Sequence, residues 1–265
     1  MYSKLFLLVL FLVTTAFTQR GFDGITEPIN QAHIGFIVSG KIDSIWVKEG
    51  AIVHKGDTLM TLINKEEQLR VYITGISAND SSAILSAKAK LEAYKKDLEA
   101  TKHLFENSNS ISEEQIWEKQ MNYDIAVAEF SAAITAKEKA DIEHNLAKAE
   151  LEKKYLIAPF DGNIVSISKN KSESVEALEP VLEIADIQTC RMIAYVIANK
   201  AKKLKVGQTV ILSLDGYKHK RKKKGKIEFI SPIVDKSSML RTVKVIFNNT
   251  DAKIEPGVTG KILLK

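Results

Sequence analysis

Cysteine, proline and long apolar runs are all scarce in this 265-residue chain, and each shortage excludes something. Cys190 is the single cysteine, so no intrachain disulfide can form and the fold does not depend on one. The five histidines, His33, His54, His103, His144 and His219, are scattered, and the five methionines form no cluster. A Cu or Ag delivery role therefore has no support, because metal binding needs grouped ligands. No P-loop, G-x-S-x-G or nucleotide-binding glycine fingerprint occurs. Asp and Glu number 33, but on helices such abundance predicts solvation rather than an acid/base pair. With no catalytic, cofactor-binding or metal-ligating residue to nominate, the chain reads as a non-enzyme.

The longest apolar run near the start, residues 5–13, follows Lys4 and precedes small residues around Ala16. A bilayer span needs about 20 apolar residues, so residues 1–19 read as an export signal, cleaved or retained as an anchor. The net charge of +5 and pI near 9.0 favour acidic surfaces without choosing among lipid, protein and nucleic acid. An export signal makes nucleic acid an unsuitable partner. A hydrophobic content of 45% indicates folded material.

One pattern appears twice, offset by 122 residues: GKIDSIWVKEGAIVHKGDTLMTL from Gly40, and GNIVSISKNKSESVEALEPVLEI from Gly162. Without gaps, Ile42 falls on Ile164, Val53 on Val175, Leu59 on Val181 and Leu62 on Ile184. Each copy has strand spacing broken by turn residues. Between them, residues 64–155 contain no proline and are rich in Ala, Lys and Glu, a composition that favours helix. Leu69, Ile73, Ile76, Ala83, Ala87, Leu91, Tyr94, Leu98 and Phe105 suggest a coiled-coil seam on a first arm. Asn79-Asp80-Ser81-Ser82 marks a bend or restart. Asn107-Ser108-Asn109-Ser110 ends the arm, and Ser112 with Gln115 predicts a capping box. A second arm follows to about Lys154, with Tyr123, Val127, Phe130, Ile134, Ala140, Ala147 and Leu151 as its apolar side. Arms of about 42 residues would be roughly 63 Å long. From Thr189 onward strand patterning returns.

The first copy resembles half of a biotinyl/lipoyl carrier domain, and Ala158-Pro159-Phe160-Asp161-Gly162 resembles the opening of the other half. A lipoyl-like fold split by a helical insert resembles the periplasmic adaptor family, the HlyD-like membrane fusion proteins. Val206-Gly207-Gln208, Ser231-Pro232, Asp235, Arg241-Thr242 and Pro256-Gly257 match the order of landmarks in the family's β-barrel. The resemblance implies an α+β chain: a β-barrel from 27–38 and 187–265, a lipoyl-like β-domain assembled from the two half-motifs at 39–63 and 157–186, and a long antiparallel α-helical coiled-coil hairpin over 64–156. The family's membrane-proximal domain has little material here, so a shortened adaptor is expected. The resemblance further implies a periplasmic subunit of a tripartite efflux or secretion system, associated with the inner membrane. It would couple an inner-membrane transporter of RND or ABC type to a TolC-like outer-membrane channel and self-associate into a ring, expected to be a hexamer.

The family docks its hairpin tip on the channel through an Arg, a Leu four residues on and a Ser seven further on. Ser112 and Phe105 stand in the last two positions, whereas Thr101 replaces Arg, with Lys102 beside it. Thr101, Lys102, Phe105, Ile111 and Ser112 are therefore the expected docking residues, and Phe105 is expected to lie unburied. For Ser112, a helix cap alone and a cap that also docks remain open. The basic block KHKRKKK, with Lys218, Lys220, Arg221, Lys222, Lys223 and Lys224, is expected to form a loop between barrel strands. It is either simply solvated or a contact for a membrane or transporter. Two other functions fit less well: a biotin or lipoyl carrier subunit, which lacks a modification turn at Lys65 or Lys154, and a coiled-coil interaction protein unrelated to transport.

Overall fold

The computed structural model describes residues 21–108, 112–215, 221–251 and 253–263. The expected export signal, Ile111, Lys218 and Lys220 lie outside them. In chain order come β1 (Gly21–Pro28), β2 (Gln31–Ile34), β3 (Gly40–Ile45), β4 (Ile52–Val53) and β5 (Thr58–Leu62). Three helices follow, α1 (Lys65–Asn79), α2 (Ser82–Ser108) and α3 (Glu113–Glu152). Next are β6 (Tyr155–Ile157), β7 (Gly162–Ile167), β8 (Ser174–Val175) and β9 (Leu182–Ala185). The C-terminal third holds β10 (Thr189–Ile197), α4 (Ala198–Ala201), β11 (Thr209–Leu214), β12 (Arg221–Ile230), β13 (Leu240–Asn248) and β14 (Thr259–Leu263). The chain divides into two compact units, one with the C-terminal strands and β1, the other with His33–Pro159 and Ser166–Glu183.

The C-terminal strands and β1 close an antiparallel barrel in the order β1-β10-β13-β12-β11-β14. Period-2 patterning explains its filling. Cys190, Met192, Ala194 and Val196 of β10 point inward, as do Val243, Val245 and Phe247 of β13. The interior is full enough that a Cβ on Gly225 would come 2.5 Å from a methyl of Val245. The N-terminal barrel strand is Gly21–Pro28 rather than a segment within 27–38, and β2 stands outside the barrel order. The reason is register: the 21–28 stretch pairs with both β10 and β14 and closes the ring.

A polar residue completes the barrel core. Asn249 is fully buried, yet its amide donates to the carbonyls of Ile187 (3.0 Å) and Ile254 (2.7 Å) and accepts from the Ile254 N–H (3.0 Å). In the turn between β12 and β13, Asp235 Oδ1 accepts from the Ser237 hydroxyl (2.6 Å) and from the Ser238 N–H and hydroxyl (both 2.8 Å). These bonds, the Ser237 hydroxyl foremost, lower the Asp235 carboxyl to about 2. A depressed carboxylate stabilises the fold above the unfolded value of about 3.9 and loses that contribution as pH falls through the folded value. Acid melts of the native chain and Asp235→Asn should therefore differ above pH 4 and converge near pH 2. A constant difference across that range would separate the turn's stability from this carboxylate.

In the other unit, a four-stranded sheet has the order β6-β5-β3-β8, in which β3 and β5 of the first copy are flanked by β8 of the second copy and by β6, which precedes it. Gly40 pairs with Val175, and Thr61 with Tyr155. The repeat is matched in burial as well: Ile42 and Ile164, Val53 and Val175, and Leu59 and Val181 are all core residues. It is matched again in backbone. Gly50 (φ 81°) falls on Ser172 (φ 73°), and Gly56 (φ 95°) falls on Leu178 (φ 65°). Leu178 thus holds a left-handed conformation, costing about 1–2 kcal/mol, while its side chain is 75% exposed.

The helices show why spacing alone misplaces a seam. The buried or half-buried positions of α2 are Ile84, Ala87, Leu91, Tyr94, Leu98, Thr101 and Phe105, alternating steps of 3 and 4. On α3 the matching series is Ile116, Lys119, Tyr123, Ala126, Phe130, Ala133, Lys137, Ala140, His144, Ala147 and Leu151. Both are heptad seams. Val127 and Ile134, expected on this seam, are exposed beside it. On α1 the inward residues are Glu67, Val71, Thr74, Gly75 and Ala78, whereas Leu69, Ile73 and Ile76 are exposed. Small inward residues let α1 approach α3 closely: a Cβ on Gly75 would be 3.1 Å from the His144 ring. The break at Asp80, whose carboxylate accepts from the Ser82 N–H (2.8 Å), resets the phase by one residue so that α2 also faces α3.

Candidate interaction surfaces

Polar pairs set the alignment of the helices. Lys154 pairs with Glu67 (3.1 Å), His144 Nδ1 meets Thr74 Oγ1 (3.1 Å), Lys90 pairs with Glu129 (2.7 Å), and Lys119 pairs with Asp97 (2.9 Å). Moving up α1 and α2 means moving backward along α3, so the helices run in opposite directions. Lys154 is engaged in an ion pair, while Ser112 caps α3 with both bonds of the capping box made with Gln115.

Among the expected tip residues, the structure separates inward from outward ones. Thr101 is 8% exposed and donates its hydroxyl to the Asp97 carbonyl (2.8 Å). Phe105 is half-buried at the next seam position, which corrects the expectation that it lies unburied: the seam needs an apolar residue there. Lys102 is exposed and donates to Gln120 Oε1 (3.2 Å), and Ser112 is exposed. The exposed apolar residue on this stretch of α2 is Leu104. Across on α3, Trp117, Met121 and Ile125 form an outward stripe at steps of 4, with Trp117 74% exposed. Sequence reasoning missed this stripe, although its phase differs from that of Tyr123 and Phe130. Glu114, Glu118 and Asp124 rim it.

The basic block also differs from expectation. Arg221–Lys224 belongs to strand β12 and pairs residue for residue with Leu214–Ile211 of β11, so this half is not a loop. Cross-strand pairing outweighs the weak strand preference of Lys, because outward lysines stay solvated. Lys222, Lys224 and Lys226 are exposed on one face of β12. Lys223 alternates to the other side and pairs with Asp251 (2.6 Å). Burial pushes the Cys190 thiol up to about 11, so it stays protonated near neutral pH and is a poor nucleophile. Among the described residues, no group of three or more His, Cys, Asp or Glu could hold a metal ion, and no helix is long and apolar enough to cross a membrane.

Residues 192–265 match the family model of the CusB-like β-barrel domain. The fold is that of MacA from Actinobacillus actinomycetemcomitans, which is 22% identical with a TM-score of 0.64 over 92% of this chain and 78% of that one. It is also that of the membrane fusion protein Spr0693 from Streptococcus pneumoniae R6, 16% identical with a TM-score of 0.61 over 92% and 97%. An uncharacterized protein of Haemophilus influenzae is 22% identical over 240 residues, 90% of this chain. The chain spans 55% of the length of that curated relative. Family model and structural neighbours thus support the membrane fusion resemblance read from the sequence.

Proposed function

We propose that this chain, with a CusB-like barrel and the membrane fusion protein fold, is a non-enzymatic periplasmic adaptor of a tripartite efflux or secretion system. Its sheet, in which β8 of the second copy pairs with β3 of the first, belongs to a lipoyl-like domain that carries no prosthetic group, and α1, α2 and α3 form its hairpin. The hairpin tip docks on a TolC-like outer-membrane channel, the barrel meets an RND or ABC transporter at the inner membrane, and copies assemble as a ring, in the family's manner a hexamer. The supporting observation is the helix pair itself. α3 alone has 40 residues, about 60 Å at 1.5 Å per residue, and carries exposed apolar side chains near its tip. Surface of that kind is used for binding a partner.

Lys102, Leu104 and Ser112 are the tip residues available to a channel, with Ile111 beside them in sequence. Thr101 and Phe105 support the tip from inside the seam. Lys222 and Lys224, with Lys218, Lys220 and Arg221 next to them in sequence, form the contact with anionic lipid or transporter, and Lys223 is held by Asp251.

Photo-crosslinking in cells tests both ends at once. A photoreactive residue in place of Leu104 should capture an outer-membrane protein, and one in place of Lys222 an inner-membrane transporter. Capture of neither class, or of the two classes reversed, would sink the adaptor reading.

A further inference from the structure

Strand directions bring the start of β1, the end of β10, the start of β11, the turn between β12 and β13 and the end of β14 to one rim of the barrel. α4 lies at that rim, where Ala201 and the following Leu204 are buried in the barrel core. The turns there also hold apolar residues that the core does not take in: Val206 (64% exposed), Ile233 (75%) and Met239 (63%). Ile197, the last residue of β10, is exposed beside them, since the next N–H, that of Ala198, donates to the Met239 carbonyl (3.3 Å). Met239 has a left-handed φ of 57°, so the turn holds strain at a residue the core does not use.

Charge at this rim is mostly of one sign. Lys200, Lys202, Lys203 and Lys205 are exposed between β10 and β11, a stretch with no acidic residue, and Lys236 is exposed in the turn between β12 and β13. Of the acidic groups, Asp235 accepts from Ser237 and Ser238, and Asp23 pairs with Lys261 (3.1 Å). The apolar run 5–13 precedes β1 in sequence, so the chain enters the barrel at this same rim.

We infer that the rim is a membrane-contact surface, with Val206, Ile233 and Met239 entering an anionic phospholipid leaflet and the lysines between β10 and β11 staying at its phosphates. Lysine is depleted from the buried cores of protein interfaces, whereas apolar tips set among lysines suit the boundary between headgroups and acyl chains. Tyr195, exposed two residues before Ile197, stands about 7 Å further from the rim, where an aromatic ring with a hydroxyl meets the headgroups. The inference goes beyond the adaptor reading and rests only on its placing the chain at the inner membrane. Lys222, toward the opposite end of the barrel, is left to the transporter.

Probes on the full chain test this, because the native Cys190 is buried. Val206→Cys, Ile233→Cys and, at the opposite end of the barrel, the exposed Glu255→Cys would each carry a nitrobenzoxadiazole fluorophore. With vesicles of phosphatidylethanolamine and phosphatidylglycerol, the first two should shift to the blue and be quenched by lipids spin-labelled on the acyl chain. The third should do neither. Changing Lys200, Lys202, Lys203 and Lys205 together to Gln should raise the lipid concentration for half-maximal shift roughly tenfold or more, and added salt should act in the same direction. No shift at Val206 and Ile233 would reject the surface. An equal shift at Glu255 would mean adsorption without orientation, and equal shifts on phosphatidylcholine vesicles would remove the lysines from the contact. A photoreactive residue at Ile233 that captures a transporter in cells would make the rim a protein contact instead. Each of these outcomes overturns the inference and leaves the adaptor reading to its own crosslinks at Leu104 and Lys222.

Discussion

Asn249→Ala is expected to lower barrel stability by about 3 kcal/mol, the largest single-residue loss anticipated in this chain. The alanine deletes three side-chain hydrogen bonds made in a dry environment and strands the Ile254 carbonyl and N–H, while the Ile187 carbonyl keeps the Cys190 thiol at 3.4 Å. Each hydrogen bond contributes about 1 kcal/mol net, and an unsatisfied buried group costs about 1–3 kcal/mol. Water admitted to the cavity would recover part of that. For a barrel of roughly 100 residues, the loss corresponds to a melting temperature lower by more than 10 °C. Asn249→Asp would keep the acceptor for the Ile254 N–H but lose both donations and bury a carboxyl, so it should be no better than alanine. Thermal melts followed by near-UV circular dichroism measure both. A fall of less than 3 °C for alanine would mean that the loop from Asn249 to Ile254 is not held by this side chain.

Excising the helices should produce the opposite dissociation: a fold that survives and a function that does not. β5 and β6 lie side by side, with Thr61 opposite Tyr155 and the Leu62 N–H donating to the Lys154 carbonyl (2.9 Å). An Asn-Gly turn in place of residues 65–152 suits two antiparallel strands that end so close together. What the strands lose is chiefly the Lys154–Glu67 ion pair, a contact of about 1 kcal/mol or less. The shortened chain should therefore melt within a few degrees of the parent, yet restore no transport in cells lacking the protein. Failure to fold would instead make the helices part of the strand core's stability.

Much of this organisation is visible in the sequence, and the parts that are not have identifiable reasons. The repeat is legible because its apolar positions are core positions in both copies, as with Ile42 and Ile164. Helix content is legible from composition, and the start of α3 from Ser112 and Gln115. The seam on α1 is not. Leu69, Ile73 and Ile76 have helical spacing, and so do Val71, Thr74 and Ala78; the choice depends on a close approach to His144 that only α3 supplies. The tip reading placed Phe105 outside for the same reason, since seam membership is a property of two helices together. The lysines of β12 mislead in another way: local composition argues for a loop, and pairing with β11 decides for a strand. Leu178 is the least expected residue of all, because spacing aligns it with Gly56 but nothing in a leucine announces a positive φ.

The pairing of β5 with β6 across the helices also governs the order in which the chain can assemble. β5 cannot meet β6 until the polypeptide returns after about 90 residues, and closing so long a flexible loop costs about 4 kcal/mol, from 1.5RT ln n. The helices change the problem. Contacts near the tip join residues about 20 apart, such as Asp97 with Lys119, and each further turn toward the base closes only a small additional loop. Zipping downward from the tip, the helices carry Leu62 and Lys154 toward each other by steps that are individually local, and local contacts form fast. An element that interrupts the strand core in sequence therefore works as the device that delivers its two halves to each other.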